Sequence, residues 1–225
     1  MPAVALDTVA SSAHIERSSE RTAARIRFWD GFEKVALLTF FCYFLIPVFE
    51  AVREYGDLSA ALIAGAESMV VGFVLFRKPA RTFSTSPGDW LLGFGATAAP
   101  MLARPVIGGS YWAANIGLAL MFCGIGFQVY AKYFLGRRFG VVAANRGVCA
   151  EGPYHLVRHP IYLGYLATHV GFLCASFSWW NVGVYAATYA LMIPRIFAEE
   201  RLLRRDPAYA AYMDVVRSRL IPGVL

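Results

Sequence analysis

The segment Tyr111–Phe134, YWAANIGLALMFCGIGFQVYAKYF, decides the fold class of this protein. It is a run of mostly apolar residues, and its one charged residue, Lys132, lies near the C-terminal end. A helix of about 20 apolar residues spans the hydrocarbon core of a bilayer, which is roughly 30 Å thick. The segment is therefore predicted to be a transmembrane helix.

Five further apolar runs flank this segment. They are Phe32–Val52, Leu58–Phe76, Trp90–Ile107, Ile161–Phe177 and Trp179–Ala198. The chain is 58% hydrophobic and only 16% charged, a composition too apolar for a soluble core with a normally charged surface. We expect an all-α integral membrane protein with about six transmembrane helices. The third and fifth runs are short, so each either crosses the membrane at an unusual tilt or forms half of a hairpin.

The basic residues indicate how the chain is oriented. If the N-terminus is cytoplasmic, every Lys and Arg except Arg53 and Arg104 falls in a segment on the cytoplasmic side. Cytoplasmic loops of membrane proteins retain an excess of Lys and Arg. Both termini are therefore predicted to be cytoplasmic, and the expected location is the bacterial inner (plasma) membrane.

The net charge of +6 raises the question of an acidic partner. The basic residues lie at the ends of apolar runs and not on one soluble face, which argues against nucleic acid. Anionic lipid headgroups are the expected partner. No metal site is predicted, because Cys42, Cys123, Cys149 and Cys174 show no CxxC spacing. The sequence contains no signal for an oligomeric state.

Three regions are expected along the chain. Residues 1–30 form an N-terminal cytoplasmic tail that is partly disordered or carries an interfacial helix at Ile15–Trp29, with a plain basic anchor as the alternative. Residues 31–134 form a membrane region of four helices. Residues 135–225 carry two membrane helices, a long inner loop and a long C-terminal tail, and loops of such length are usually functional or disordered. In that tail Asp206 is predicted to cap a helix that starts at Pro207 and continues to about Val216.

Two features of the first four apolar runs carry no assigned function. Glu67 lies in the middle of the second run, where an ionisable residue is costly, and a functional role and a structural hydrogen bond remain equally open. The segment 93–98 matches the pattern GxGxxA. It has no preceding strand and no acidic residue about 20 positions later, so close helix packing explains it better than dinucleotide binding.

The segment Gly152–Gly164, GPYHLVRHPIYLG, is the most specific motif in the chain. It resembles the GPYxxxRHPxYxG motif of the isoprenylcysteine carboxyl methyltransferase family and its phospholipid N-methyltransferase relatives. The resemblance extends from Leu135 to the C-terminus. It includes Leu135–Phe139 upstream, and Glu199, Glu200, Tyr209, Tyr212 and Arg219–Pro222 downstream.

This resemblance implies a methyltransferase that uses S-adenosylmethionine and releases S-adenosylhomocysteine, with its cofactor site on the cytoplasmic side. The acceptor would be lipophilic or small and membrane-permeable, such as an isoprenylcysteine-like carboxylate. The residues implied to bind the cofactor are Tyr154, His159, Pro160, Tyr162, Glu199 and Glu200. The residues implied to act on the acceptor are Arg158, Tyr212 and Arg219.

The residues themselves also indicate a site. Pro160 suits the first turn of a helix, whose unpaired N–H groups attract an anion such as the carboxylate of an amino-acid-like ligand. Helical spacing places one set of side chains on a single face of the fifth helix: Arg158, Tyr162, Tyr165 and His169. It does the same on the sixth helix for Thr188, Met192, Arg195 and Glu199. Aromatic rings and carboxylates at their junction suit a sulfonium cation.

Simpler interpretations of these residues exist. Arg158 and His159 also suit a helix start at the membrane interface, and Glu199 and Glu200 suit a solvated face. Tyr162 and Tyr165 suit an interfacial aromatic belt, and His169 suits a packed residue within the membrane. At the level of function, the alternatives are a nicotinamide-dependent reductase of an isoprenoid or sterol and a non-enzymatic small membrane transporter or scaffold.

Overall fold

The structure is a computed structural model that describes residues 2–55, 68–104, 106 and 110–223. Its described helices are α1 (Pro2–Tyr55), α2 (68–75), α3 (Pro87–Ala98), α4 (Tyr111–Leu135), α5 (Pro160–Ala175), α6 (Trp179–Leu203) and α7 (Pro207–Val215). Short 3₁₀ turns lie at Ala99–Leu102, Gly136–Arg138 and Gly152–His155. The predicted helical class is confirmed, with one addition. A small antiparallel ribbon pairs β1 (Thr82–Phe83) with β2 (Ala144–Asn145).

Helix α4 is the clearest membrane span of the chain. Together with the following 3₁₀ turn it forms a 28-residue helical segment, Tyr111–Arg138, with a mean hydropathy of 1.5 in its most apolar window. Only 17% of that window is buried within the protein, so its apolar side chains face outward. Within the described ranges it is the one helix that has both the length and the hydropathy of a span, while α5 is apolar but shorter.

The other predicted spans correspond to the described helices in different degrees. The first lies within α1, which runs without a break through the segment predicted as an interfacial helix. Only 68–75 of the second is a described helix, and Glu67 lies outside the described residues. The third was expected to reach Ile107, but the α-helix ends at Ala98 and continues as a 3₁₀ turn to Leu102. Pro100 supplies no backbone N–H there, which favours the tighter turn.

Helices α4 and α5 pack closely because glycines line their interface. A Cβ atom at Gly117 would lie 2.5 Å from the carbonyl oxygen of Gly171, and one at Gly124 would lie 2.5 Å from Thr168 Oγ1. Small residues let two helix backbones approach each other closely. In a membrane, helices associate through van der Waals packing and hydrogen bonds and not through the hydrophobic effect. Gln128 Nε2 then donates to Thr168 Oγ1 across the interface at 2.8 Å.

The loop between α4 and α5 is held in place from several sides. On one side it pairs with β1 through β2, and Lys78 N donates to the carbonyl oxygen of Arg137 at 2.7 Å. On another side it rests against α3, where a Cβ atom at Gly93 would lie 2.8 Å from the carbonyl oxygen of Val141. The glycine pattern at 93–98 therefore serves close packing.

A buried cluster of four charged side chains joins α1 to this loop. Arg77 lies 2.7 Å from Asp30 and 2.8 Å from Glu33, and Arg146 lies 2.6 Å from Asp30 and 3.0 Å from Glu33. Glu33 has no exposed surface. No local sequence pattern predicted this cluster.

The C-terminal tail folds back onto the start of α5. Asp206 accepts from Ala208 N at 3.0 Å and caps α7, as predicted. The hydrogen bond from Asn145, at 2.7 Å, lowers the pKa of Asp206 and ties α7 to the loop. Beyond α7, the chain pairs with the residues that precede α5. The N–H groups of Arg158 and His159 donate to the carbonyls of Ser218 and Arg219, each at 2.9 Å.

Candidate active site

A cavity of about 740 Å³ lies between the helices and the loop that joins α4 to α5. Its polar end includes Arg138, Arg146, Tyr154, Arg158, His159, Tyr162, Glu199, Tyr209 and Tyr212. Its apolar end lies farther along the helices and includes Phe41, Phe44, Met121, Ile125 and Phe172. The cavity therefore has a charged end that continues into an apolar end.

The start of α5 forms one wall of the polar end. His159 is the residue before the helix, and Pro160 occupies its first position, as predicted. The ring of His159 stacks on that of Tyr162 with centroids 5.6 Å apart. Tyr162 Oη donates to Glu199 Oε2 at 3.2 Å, which joins α5 to α6 at the cavity wall. The Arg195 guanidinium lies over the Tyr162 ring at 5.4 Å.

The predicted polar face of α5 continues deeper along the cavity. Tyr165 stacks on His169 with centroids 6.0 Å apart, and His169 stacks on Tyr185 of α6 at 4.5 Å. His169 Nδ1 lies 3.1 Å from Tyr189 Oη. The two predicted faces converge where Tyr162 contacts Glu199 and Arg195, whereas Thr188 bonds within α6 to the carbonyl oxygen of Val184.

Glu200 faces away from Glu199 and has basic partners on three sides. Its Oε1 accepts from Arg158 Nε at 2.8 Å and lies 3.3 Å from His159 Nε2. Its Oε2 accepts from Arg219 Nε at 3.1 Å. Although burial alone would raise it, the hydrogen bonds from His159 and Arg158 lower the pKa of Glu200 to about 2.

Arg158 and the tail residue Arg219 both contact Glu200, and Arg158 also binds the tail directly. Besides Glu200, Arg158 donates from one terminal nitrogen to the carbonyls of Val216 and Arg217, at 2.7 and 2.8 Å. Arg219 also lies over the Phe197 ring at 5.1 Å. Arg158 thus combines a place on the cavity wall with a network that fixes the last residues of the tail.

The tyrosines of the polar end are buried. Tyr212 Oη donates to the backbone carbonyl of Tyr154 at 2.6 Å, which joins α7 to the 3₁₀ turn of the motif. Burial raises the pKa of Tyr154, Tyr209 and Tyr212. All three therefore keep their phenolic proton at neutral pH and act as hydrogen-bond donors and not as bases.

The structure divides the residues suggested by the sequence into two groups. Those that line the cavity are Tyr154, Arg158, His159, Tyr162, Glu199 and Tyr212. Pro160, Glu200 and Arg219 do not line it within the described part of the chain. Glu200 and Arg219 instead lie behind the wall, where they hold Arg158 and His159.

Several charged or polar side chains of the wall carried no motif in the sequence. They are Gln128 and Lys132 on α4 and Arg146 in the loop, while Arg138, also on the wall, lies in the resembling segment Leu135–Phe139 but was given no role. Among described atoms, the buried Nε groups of Arg138, Arg146 and Arg195 have no hydrogen-bond partner. Buried donors of this kind are rare in folded proteins unless a ligand or water serves them. Their proximity to the motif depends on tertiary folding, so only their basic character was visible in the sequence.

One family model matches the part of the chain that carries this site. Residues 112–209 match the family model described as phospholipid methyltransferase. No curated protein matches the sequence. Among solved structures, the chain resembles the eukaryotic intramembrane Ras methyltransferase, isoprenylcysteine carboxyl methyltransferase, with 16% identity, a TM-score of 0.45, and coverage of 96% of this chain and 86% of that chain. The matched region contains α5, α6 and most of the polar wall, so the part of the chain that carries the candidate site is similar to phospholipid methyltransferases.

Proposed function

We propose that this protein transfers a methyl group from S-adenosylmethionine to a lipophilic acceptor in the cavity between the helices and the loop that joins α4 to α5. The observation that carries this proposal is the contact between Tyr162 and Glu199, which brings the two motifs of the family region together on one cavity wall. Methyltransferases of this family use S-adenosylmethionine.

The residues present at the polar end fit this cofactor. A sulfonium cation is attracted by aromatic faces and by a carboxylate, which Tyr162 and Glu199 supply. The methionine part carries a carboxylate, which suits the buried, unpartnered Nε atoms of Arg138, Arg146 and Arg195. Tyr154 and His159 complete the set of cofactor-binding residues, with Pro160 placing the start of α5. Glu200 contributes from behind the wall by holding His159.

When bound, S-adenosylmethionine supplies a methyl group on a positively charged sulfur, ready for direct displacement. The protein then has to hold the acceptor in line with that group and to exclude water, which raises the rate chiefly through positioning. The buried walls of the cavity serve both purposes. Glu199 favours the cation in the ground state, so we expect its largest effect on cofactor affinity.

The apolar end of the cavity suits the acceptor's hydrocarbon part. Phe41, Phe44 and aliphatic neighbours such as Ile125 offer no hydrogen bonds there, so this end selects the acceptor by burial of its apolar surface. At the polar end, cationic side chains favour an anionic acceptor group, such as the carboxylate of an isoprenylcysteine-like compound. A carboxylate is already a nucleophile, whereas an amine or a thiol would need a base.

Two residues are proposed to act on the acceptor, and a third, Arg219, to position them. Arg158 and Tyr212 lie on the cavity wall. Arg219 acts as a positioning residue, because its contact with Glu200 supports Arg158 from behind. Replacing Arg219 with Leu is then expected to lower turnover while the cofactor dissociation constant changes little. Replacement of the exposed Arg217 is the control.

The experiment that tests this function uses purified protein in detergent with methyl-labelled S-adenosylmethionine. N-acetyl-S-farnesylcysteine supplies a carboxylate acceptor, and phosphatidylethanolamine supplies an amine. We expect label in the first as a base-labile methyl ester, and a large loss of transfer in Glu199→Gln. Transfer to the amine alone would retain the methyltransferase and reject the carboxylate acceptor. Transfer to neither, without cofactor binding, would reject the function.

The orientation follows from the basic residues and completes the proposal. The cofactor is made in the cytoplasm, so the polar end of the cavity, both termini and the loop containing Arg146 are proposed to be cytoplasmic, with six crossings. A cysteine placed at Ser178, between α5 and α6, should react with an impermeant reagent only from the outside. Reaction from the cytoplasmic side only would reject the six-crossing arrangement.

A further inference from the structure

Glu33 makes contacts that reach from α1 to the opposite wall of the cavity. Its Oε1 accepts from the backbone N–H groups of Val141 and Val142, each at 2.8 Å, across 108 and 109 residues of sequence. Its Oε2 accepts from Arg77 at 2.8 Å and from Arg146 at 3.0 Å. One carboxylate therefore fixes both the backbone of the loop and the direction of an arginine side chain.

Arg146 is the member of this cluster that reaches the ligand chamber. It is 4% exposed and lines the cavity, and its Nε has no hydrogen-bond partner among the described residues. One of its terminal nitrogens bonds Asp30 and Glu33, and the other packs against the Cα of Gly140 so closely that a Cβ there would collide with it. Arg77 Nε also lacks a partner among the described residues, but Arg77 does not line the cavity there, so it is the position on the cavity wall that distinguishes Arg146.

We propose that Arg146 binds an anionic group of a ligand at the polar end of the cavity, and that Glu33 is the positioning residue that orients Arg146 for this. The proposal rests on the proposed function, which supplies two sources of such an anion. One is the methionine carboxylate of the cofactor, and the other is an acidic group of the acceptor. Either binds an arginine by charge-assisted hydrogen bonds.

The composition of the cluster supports a role beyond stability. A buried ion-pair network is weak support for a stabilising role, because apolar residues of similar volume often serve as well. Two carboxylates here neutralise two arginines, so the cluster can hold Arg146 buried before a ligand arrives. Burying the unpartnered Nε of Arg146 costs free energy, and an anion that accepts a hydrogen bond from it removes that cost. These features suit a preorganised binding group.

Two cofactor analogues separate the two sources of the anion. S-adenosylhomocysteine carries the methionine carboxylate, whereas 5′-methylthioadenosine lacks it. Dissociation constants of both are measured by calorimetry on wild-type protein and on Arg146→Gln, Glu33→Gln, the double variant and Arg77→Gln. Gln at position 33 keeps the size and the acceptor oxygen for the loop, so it removes mainly the charge.

If the anion belongs to the cofactor, Arg146→Gln should raise the dissociation constant of S-adenosylhomocysteine roughly tenfold to a hundredfold. The dissociation constant of 5′-methylthioadenosine should stay within about twofold of the wild-type value. Glu33→Gln should change the ratio of these two dissociation constants less than Arg146→Gln does. The double variant should add little to Arg146→Gln, because both substitutions act through the Arg146 side chain. Arg77→Gln should lower the melting temperature without changing the ratio. If Arg146→Gln fails to fold, Arg146→Lys replaces it, because it keeps the charge but lacks the planar fork.

If the anion belongs to the acceptor, both analogues should bind normally and the KM for N-acetyl-S-farnesylcysteine should rise at least about tenfold. The inference would be overturned, with the proposed function intact, by either of two results for folded Arg146→Gln. One is an unchanged ratio of the two dissociation constants together with an unchanged KM, and the other is equal weakening of the binding of both analogues. Wild-type protein that binds neither analogue would overturn the proposed function and the inference together.

Discussion

Arg158 Nε lies 2.8 Å from Glu200 Oε1 in a buried ion pair that joins the start of α5 to the end of α6. The same carboxylate holds His159 and Arg219, so three residues of the family motif and the tail converge on one side chain behind the cavity wall. Glu200 therefore governs how the wall is assembled, while its neighbour Glu199 lines the cavity.

Removing the charge of Glu200 should destabilise the protein. Glu200→Gln leaves the buried guanidinium of Arg158 without its counter-charge, which typically costs about 3–5 kcal/mol when one partner of a buried pair is lost. Arg219→Leu should cost much less, because that side chain is 25% exposed. Thermal unfolding in detergent measures both. Equal melting temperatures for wild type and Glu200→Gln would contradict the assigned role.

The contribution of Glu200 should depend on pH in a defined direction. Its folded pKa of about 2 lies below the ordinary value of 4.5 for a glutamate, so the stabilisation is fully present above pH 4.5 and is lost as the pH falls towards 2. The difference in melting temperature between wild type and Glu200→Gln should therefore shrink from pH 4.5 downwards. A difference that is constant from pH 7 to pH 3 would show that the carboxylate's charge is not the cause.

Glu199 should affect the ligand more than the fold. Glu199→Gln keeps the size of the side chain and an oxygen for Tyr162, but it removes the charge facing the cavity. We expect the affinity for S-adenosylmethionine to fall by about 1.5–3 kcal/mol, as for a lost charged hydrogen bond. Calorimetry measures this, with the melting temperature as the control. Unchanged affinity would place Glu199 outside the cofactor site.

The packing of α4 on α5 offers a matched pair of substitutions. A Cβ at Gly124 would lie 2.5 Å from Thr168 Oγ1 and 2.6 Å from Thr168 N, whereas at Gly126 nothing lies within 4 Å. Gly124→Ala should destabilise the protein by about 1–3 kcal/mol, as overpacking does. Gly126→Ala, on the same helix, should be neutral or slightly stabilising, because alanine favours helix. Equal effects would mean that the two helices are not in close contact.

Local patterns predicted the parts of the structure that depend on neighbouring residues. Pro160 begins α5 and Asp206 caps α7 because these signals act within one turn of chain. The spacing of Tyr162, Tyr165 and His169 predicted their common face for the same reason. The predicted extent of the third span was wrong. The apolar residues continue past Ala98 in the sequence, but at Pro100 the backbone changes from an α-helix to a 3₁₀ turn.

The rest of the site depends on contacts that sequence patterns do not encode. Glu199 and Glu200 are adjacent, yet about 100° apart around the helix, so only the packing of α6 decides which one faces the ligand. Glu33 and Arg146 are 113 residues apart, and nothing local pairs them. The acidic pair at Asp30 and Glu33, three residues apart at the edge of an apolar run, was the one available signal of a buried charge cluster.

The central claim is that the cavity binds the cofactor of a methyltransferase, and direct binding tests it most simply. Purified wild-type protein is titrated with S-adenosylhomocysteine and, separately, with NADPH, with Glu199→Gln as the matched variant. The account predicts saturable binding of S-adenosylhomocysteine that weakens in the variant, and no binding of NADPH. Saturable binding of NADPH without binding of S-adenosylhomocysteine would contradict it.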